Sequence, residues 1–374
     1  MMDFEDPSTF DDGYYSSLSP NDQDRFEDYF NENLSQFDAS AIERTLRTKY
    51  DTQNEHLKLI KAISACFHPK GGAATSSGFS FYGVNPLSGL KETPADAVLV
   101  NSEHNCVYVL LVLCEIGGEQ RDHWVKNINK TQRFFQRTDT KDNLRDKLSI
   151  NHRDIEIGYA TLTREDDTIG VDFSVLKRQC DASPYAIWEC DTNDRWIRHV
   201  NGSFLHSNLQ DVFYSDEKEV YIDVDYSSRK EPINIAVGTH PIFPLEEVSF
   251  KIIKENKIFN SDNMDEFEQD SFRDYYDEQL KVFCHSSTKD TVLESEVERV
   301  LSAGLNARIV TNESSEVEDG DYKVIYSGPR GPEHMKNAIK SRYFNYMPGY
   351  KVGSRAYQKT KDDFDKSTGL DDFT

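Results

Sequence analysis

The chain has 374 residues and a formal net charge of −23, with 12% aromatic and 29% charged residues. That length accommodates two domains with a sizeable core. No apolar run approaches the roughly 18 residues that a membrane helix needs, so a membrane partner is not expected. The acidic surplus argues against binding a polyphosphate over a uniform surface, because like charges repel. The charge is unevenly spread, however.

In chain order, residues 1–38 hold a single base, Arg25, among many carboxylates, and read as an acidic tail, disordered or loosely helical. Their start, Met-Met-Asp-Phe-Glu-Asp, has neither a basic nor an apolar segment, which argues against secretion. From Ala39 to Ala65, Ile42, Leu46, Leu57, Ile60 and Ile63 recur at helical spacing, in one helix or in two with a break near Asp51. Residues 70–89 are rich in Gly, Ser and Ala and read as a loop of the kind found around active sites.

Residues 94–116 follow, with two apolar runs joined by Asn101-Ser-Glu-His-Asn105, the pattern of a β-hairpin. The second run, Val107 to Leu113, is apolar at both alternating positions, so it reads as a central strand covered on both faces. Asp96 opens the first run and Glu115 sits near the end of the second. A carboxylate at such a strand end is costly to desolvate unless a cation, proton or donor meets it. Two on neighbouring strands can share a divalent metal.

A helix is expected over about 120–137. Its Lys126, Lys130, Arg133 and Arg137, followed by Lys141, recur every three or four residues and line one face, while Trp124, Ile128 and Phe135 occupy the other. Between Arg121 and Lys147 eight bases face four aspartates, the reverse of the chain's balance. Strands are read at 155–163 and 185–190, with a short helix at 174–180. The Trp188 and Trp196 region reads as core.

Beyond residue 200 an alternating strand covers 219–226, and 234–253 reads as a continuation of a small β-rich subdomain. Residues 255–280 read as an acidic linker or exposed helix. An amphipathic helix at 289–304, strands at 307–310 and 322–326 and a final helix complete the pattern. The domain organisation is therefore a tail at 1–38, an α/β domain at 39–200, a β-rich insert with linker at 201–280, and a C-terminal α/β region at 281–374.

Cys66, Cys106, Cys114, Cys180, Cys190 and Cys284 form no CxxC pair and lie in apolar contexts, as reduced thiols of a cytoplasmic protein do. The histidines never fall at a zinc-binding spacing, and phosphate-loop, dinucleotide and GxSxG patterns are absent.

The hairpin resembles the core of the PD-(D/E)XK nuclease superfamily, in which an Asp opens one strand and the next ends in Glu-x-Lys. Asp96 matches the first position and Glu115 the second, and Glu55 matches a glutamate often found on the preceding helix. The resemblance covers roughly residues 50–190. It departs at Gly117, where the family's lysine usually stands; Lys126 or Lys130 then becomes the candidate to replace its charge. Gln132 lies where some relatives carry a site-lining Gln.

The resemblance implies a restriction-endonuclease-like mixed sheet flanked by helices. It also implies a cytoplasmic DNA endonuclease of restriction or antiviral-defence type, acting on duplex DNA. Asp96, Glu115 and Glu55 would ligate Mg²⁺, for which Mn²⁺ can substitute. Lys126, Lys130, Arg133, Arg137 and Lys141 would contact DNA, and a homodimer or defence-complex partner would complete the assembly. The competing expectations are a catalytically silent module of the same fold that binds nucleic acid or protein, and an interaction protein with no nucleic-acid partner.

Overall fold

The computed structural model describes residues 4–69, 71–84, 96–113, 120–138, 141–142, 155–165, 184–215, 218–219, 222–223, 237–255, 272–283, 289–312, 322–324 and 332–371. Contacts divide the chain into two compact units. One comprises Thr52–Thr239 and Tyr276–Val297, the other Met1–Asp51, His240–Tyr275 and Glu298–Thr374. The single α/β domain expected to end near residue 200 is thus divided differently, because segments distant in sequence pack together.

The first unit is built on a seven-stranded mixed sheet, ordered β1-β2-β3-β4-β5-β6-β9. Its strands are β1 (Ser80–Val84), β2 (Ala97–Asn101), β3 (Cys106–Leu113), β4 (Glu156–Arg164), β5 (Tyr185–Asp191), β6 (Trp196–Gly202) and β9 (Ile222–Asp223). A separate short ladder pairs β7 (Tyr214–Ser215) with β8 (Lys218–Glu219). The β1–β2, β2–β3, β5–β6 and β6–β9 pairs are antiparallel, whereas β3–β4 and β4–β5 are parallel. A parallel step needs a crossover, and after β3 the segment containing α4 (Gln120–Gln136) supplies it.

The sheet's centre follows from β3. Its residues 106–112 are all buried, as expected of a strand covered on both sides. On one face Val107, Val109 and Leu111 pack with Val98, Val100, Tyr159, Tyr185 and Ile187 against Ile128 and Phe135 of α4. On the other, Tyr108 and Trp188 join Phe67, Phe79 and Phe213 in contacts between aromatic rings. The β2–β3 and β5–β6 turns each end on a residue of positive φ, Asn105 (53°) and Arg195 (61°). Side chains tie both turns: Asn101 accepts the His104 N–H at 3.1 Å, and Asp191 accepts those of Asn193 and Asp194. Asx side chains favour such turns.

The second unit is mainly helical. It contains α1 (Tyr14–Ser17), α2 (Pro20–Leu34), α6 (Ile242–Glu255) and α9 (Pro332–Asp371), with a β10 (Val310–Asn312)–β11 (Tyr322–Val324) ladder. α3 (Ala39–Cys66), α7 (Phe272–Phe283) and α8 (Asp290–Asn306) each carry residues of both units; α5 (Ser207–Phe213) belongs to the sheet unit.

Several expectations are corrected here. The segment 4–38 is ordered rather than a loose tail: Ser19 caps α2 through the Asp22 N–H, and Pro20 occupies its first turn. Phe26 and Phe30, one turn apart and fully buried, pack on Ala356, Tyr357 and Phe364 of α9. The carboxylates lie outside this aromatic stripe, so an acidic composition hid an apolar face. Of the two alternatives for residues 39–65, the single helix is the one formed: α3 is continuous through Asp51. Residues 242–255 form a helix, not part of a β subdomain, burying Ile242, Phe243, Leu245 and Val248. The expected helix at 174–180 lies outside the described residues.

The N-terminal segment seats in a notch of α9. A Cβ on Gly353 would lie 2.3 Å from the Phe10 ring and 2.6 Å from the Phe4 carbonyl oxygen. Gly353→Ala should therefore prise this segment from α9 and destabilise the protein by about 1–3 kcal/mol. Urea unfolding, with faster proteolysis before Tyr14, checks this.

Candidate functional site

Asp96 precedes β2, where its N–H donates to the Leu110 carbonyl at 2.9 Å. Its side chain turns back on the paired strand, and Oδ2 accepts the Val112 N–H at 2.7 Å. The other oxygen, Oδ1, lies 3.2 Å from His56 Nε2, and the two side chains are only 24% and 27% exposed. A half-buried carboxylate is thus held by one backbone donor and one imidazole, which is how its desolvation is offset. Burial of the ring works against a charge on His56. The Asp96 charge and the hydrogen bond outweigh that, so the histidine's pKa lies above its ordinary value.

His56, rather than its neighbour Glu55, is the α3 residue that meets Asp96. Glu55 pairs instead with Lys58 at 2.6 Å. The signal was present in the spacing, since His56, Ile60 and Ile63 stand at i, i+4 and i+7, on the face that buries Ile60 and Ile63. Glu55 stands one position off that line. Glu115, two positions after β3 ends at Leu113, lies outside the described residues, as does Gly117.

α4 places its cations as the periodicity predicts. Lys126, Lys130, Arg133 and Arg137 are exposed, while Ile128, Thr131, Gln132 and Phe135 are buried on the side toward the sheet. A surface depression of about 490 Å³ follows the basic face, lined among the described residues by those four cations, Asn129 and Phe134. The Arg137 guanidinium stands 5.8 Å from the Phe134 ring centroid. Lys141 is half-buried beyond the helix end. Trp124 lies in α4, with its side chain outside the described residues.

A second charged group lies across the sheet. Glu189, buried on β5, faces Arg198 directly across the β5–β6 ladder and accepts from its Nε and Nη2 at 2.7 and 2.6 Å. Arg198 also reaches Glu165 at 3.5 Å. This pairing explains a carboxylate in an otherwise apolar strand, and the planar guanidinium suits it.

Among the described residues no group of three or more His, Cys, Asp or Glu side chains is placed to hold a metal ion. Among them also, no helix is long and apolar enough to cross a membrane. Comparison of the chain with protein-family models, curated proteins and solved structures gave no match.

A histidine whose pKa rises on folding contributes stability that is full below its unfolded pKa, about 6.5, and is lost as pH climbs through the raised value. The stability difference between the native protein and Asp96→Asn should therefore be larger at about pH 6 than at about pH 9. Urea midpoints for both proteins across that range measure it, and a constant difference would dissociate His56 from Asp96.

Proposed function

We propose that the protein is a metal-dependent phosphodiesterase of nuclease type acting on DNA, with Asp96 as its anchoring carboxylate. The reading is carried by one observation: a half-buried aspartate at the open end of a central hairpin, fixed by the Val112 N–H and His56. Both Asp96 oxygens keep lone pairs beyond these contacts, so the carboxylate suits a hard cation that takes oxygen ligands. Glu115 is the proposed second ligand and Glu55, now engaged with Lys58, an outer one that must exchange partners. Bound there, Mg²⁺ or Mn²⁺ supplies charge stabilisation at the phosphate and a more acidic water.

The chain's own residues do the positioning. Val112 and His56 fix the carboxylate's plane. Lys126 and Lys130, exposed on the outer face of α4, offset the charge growing on phosphate in place of a lysine at Gly117. The stripe continuing through Arg133 and Arg137 holds the DNA backbone, with Lys141 at its end.

The contact between His56 and Asp96 also favours a second reading, a catalytically silent nucleic-acid-binding module of a larger complex. The imidazole satisfies Asp96 without any metal, and Gly117 lacks the family's cation.

Asp96→Asn is expected to lower Mg²⁺-dependent plasmid cleavage by on the order of 10³-fold while the protein still melts cooperatively. Undiminished cleavage would remove Asp96 from the chemistry, and absence of cleavage by the native protein under every divalent metal would leave the silent module. Duplex binding through four cations should follow a log–log salt slope of about −3.6, and Arg133→Ala should reduce its magnitude by about 0.9. Fluorescence anisotropy at varied salt reads both.

A further inference from the structure

One side chain in the basic row of α4 is an aromatic ring. Phe134 lines the depression of about 490 Å³ together with the four cations and Asn129. Its neighbours one turn away along the helix are both charged, with Lys130 four residues before it and Arg137 three after. The Arg137 N–H donates to the Phe134 carbonyl at 3.2 Å, and its guanidinium lies 5.8 Å from the ring centroid. The next residue, Phe135, is fully buried and meets Phe134 edge-on, with ring centroids 5.6 Å apart. Phe134 itself packs at the margin of that core and is only half-buried. Packing therefore accounts for Phe135 and for part of Phe134; the rest of the Phe134 ring forms wall of the depression.

Among the described residues no carboxylate lines this depression, so its charge is of one sign. Its cations hold phosphate whichever strand carries it, because phosphate contacts position a nucleic acid without reading its bases. A ring adds to that only where it meets the face of a base. In a duplex each base face is covered by its neighbours in the stack, whereas an unpaired nucleotide offers one for stacking.

We propose that the α4 depression seats an unpaired nucleotide, its base stacked on Phe134 and its flanking phosphates held by Lys130 and Arg137. The preferred substrate is then DNA with a single-stranded stretch rather than fully paired DNA. This inference rests on the nucleic-acid reading of α4 given above and narrows its substrate class. The dimensions agree. The depression falls in the usual size range of small-molecule sites. Lys130 and Arg137 are separated by about 10 Å along the helix, the rise of about three stacked nucleotides of one strand, so the two cations bracket the phosphates on either side of the stacked base. A guanidinium beside the ring also favours the π-face of a base laid on it.

The test is fluorescence anisotropy without divalent metal, so that neither cleavage nor the metal site enters. Labelled oligodeoxythymidylate of about 12 nucleotides is compared with a blunt duplex of the same length. Phe134→Leu keeps apolar packing at the core margin and removes the ring. It is expected to weaken binding of the single strand by at least about fivefold and of the duplex by less than about twofold. Arg133→Gln, which removes a phosphate contact, should weaken both by similar factors. Phe134→Trp restores a ring: it should bind the single strand as the native protein does, which excludes misfolding as the cause of the leucine result, and its added fluorescence should be quenched by the single strand and not by the duplex. Equal losses for the two DNAs in Phe134→Leu, no loss for either, or an unquenched Phe134→Trp would overturn the inference and leave the phosphate contacts of α4 in place. A native protein that binds neither DNA would overturn it together with the basic-face assignment, and Mg²⁺-dependent plasmid cleavage then decides the nuclease reading separately.

Discussion

The sheet unit depends on burying β3 from both sides. Val107, Val109 and Leu111 on one face and Tyr108, Leu110 and Val112 on the other are nearly inaccessible, and a strand of that kind is stable only between two layers. α4 covers the first face through Ile128 and Phe135, and Phe67, Phe79 and Phe213 pack on Tyr108 and Trp188 of the second. Polar chemistry is thereby displaced from the middle of the strand to its end. There Asp96 folds back on the Val112 N–H and meets His56. The same requirement sorts α4 into a buried apolar side and an outer row of cations.

Charge is distributed with a comparable logic. Among the described residues, carboxylates of the acidic N-terminal segment cap its turns, as Asp6 and Asp11 do ahead of α1. Against that background the cations gather on α4 and along α9. A protein this acidic can meet a polyanion only through such local reversals, because screening confines each charge's reach to about 10 Å at moderate salt. The α4 row is open and follows a helix, a shape suited to a polymer backbone.

Much of the sheet unit was legible in the sequence, since its signals are local. The two-faced apolar run of β3, the hairpin before it, the helix after it and the strands at 156–164 and 185–191 rest on periodicity that neighbouring residues largely decide. The Asp96 position and the basic side of α4 were readable for the same reason. His56 was missed because a family pattern directed attention to Glu55, although the helical register placed the histidine on the buried side. The N-terminal helices were missed because net charge was weighed above the spacing of Phe26 and Phe30, whose partners lie more than 300 residues away in α9. β1 escaped notice because its short run, Ser80–Val84, follows a small-residue loop, and its strand character comes from pairing with β2. The buried Glu189 could not be explained until Arg198 was placed opposite it.

The central claim is that Asp96 and Glu115 grip one divalent ion at the end of the hairpin. Anomalous diffraction from crystals grown with Mn²⁺ tests it most directly. The account predicts a single manganese peak within about 2.2 Å of a carboxylate oxygen from each of the two residues. A peak that touches only one of them, or neither, with His56 still closed on Asp96, would contradict it.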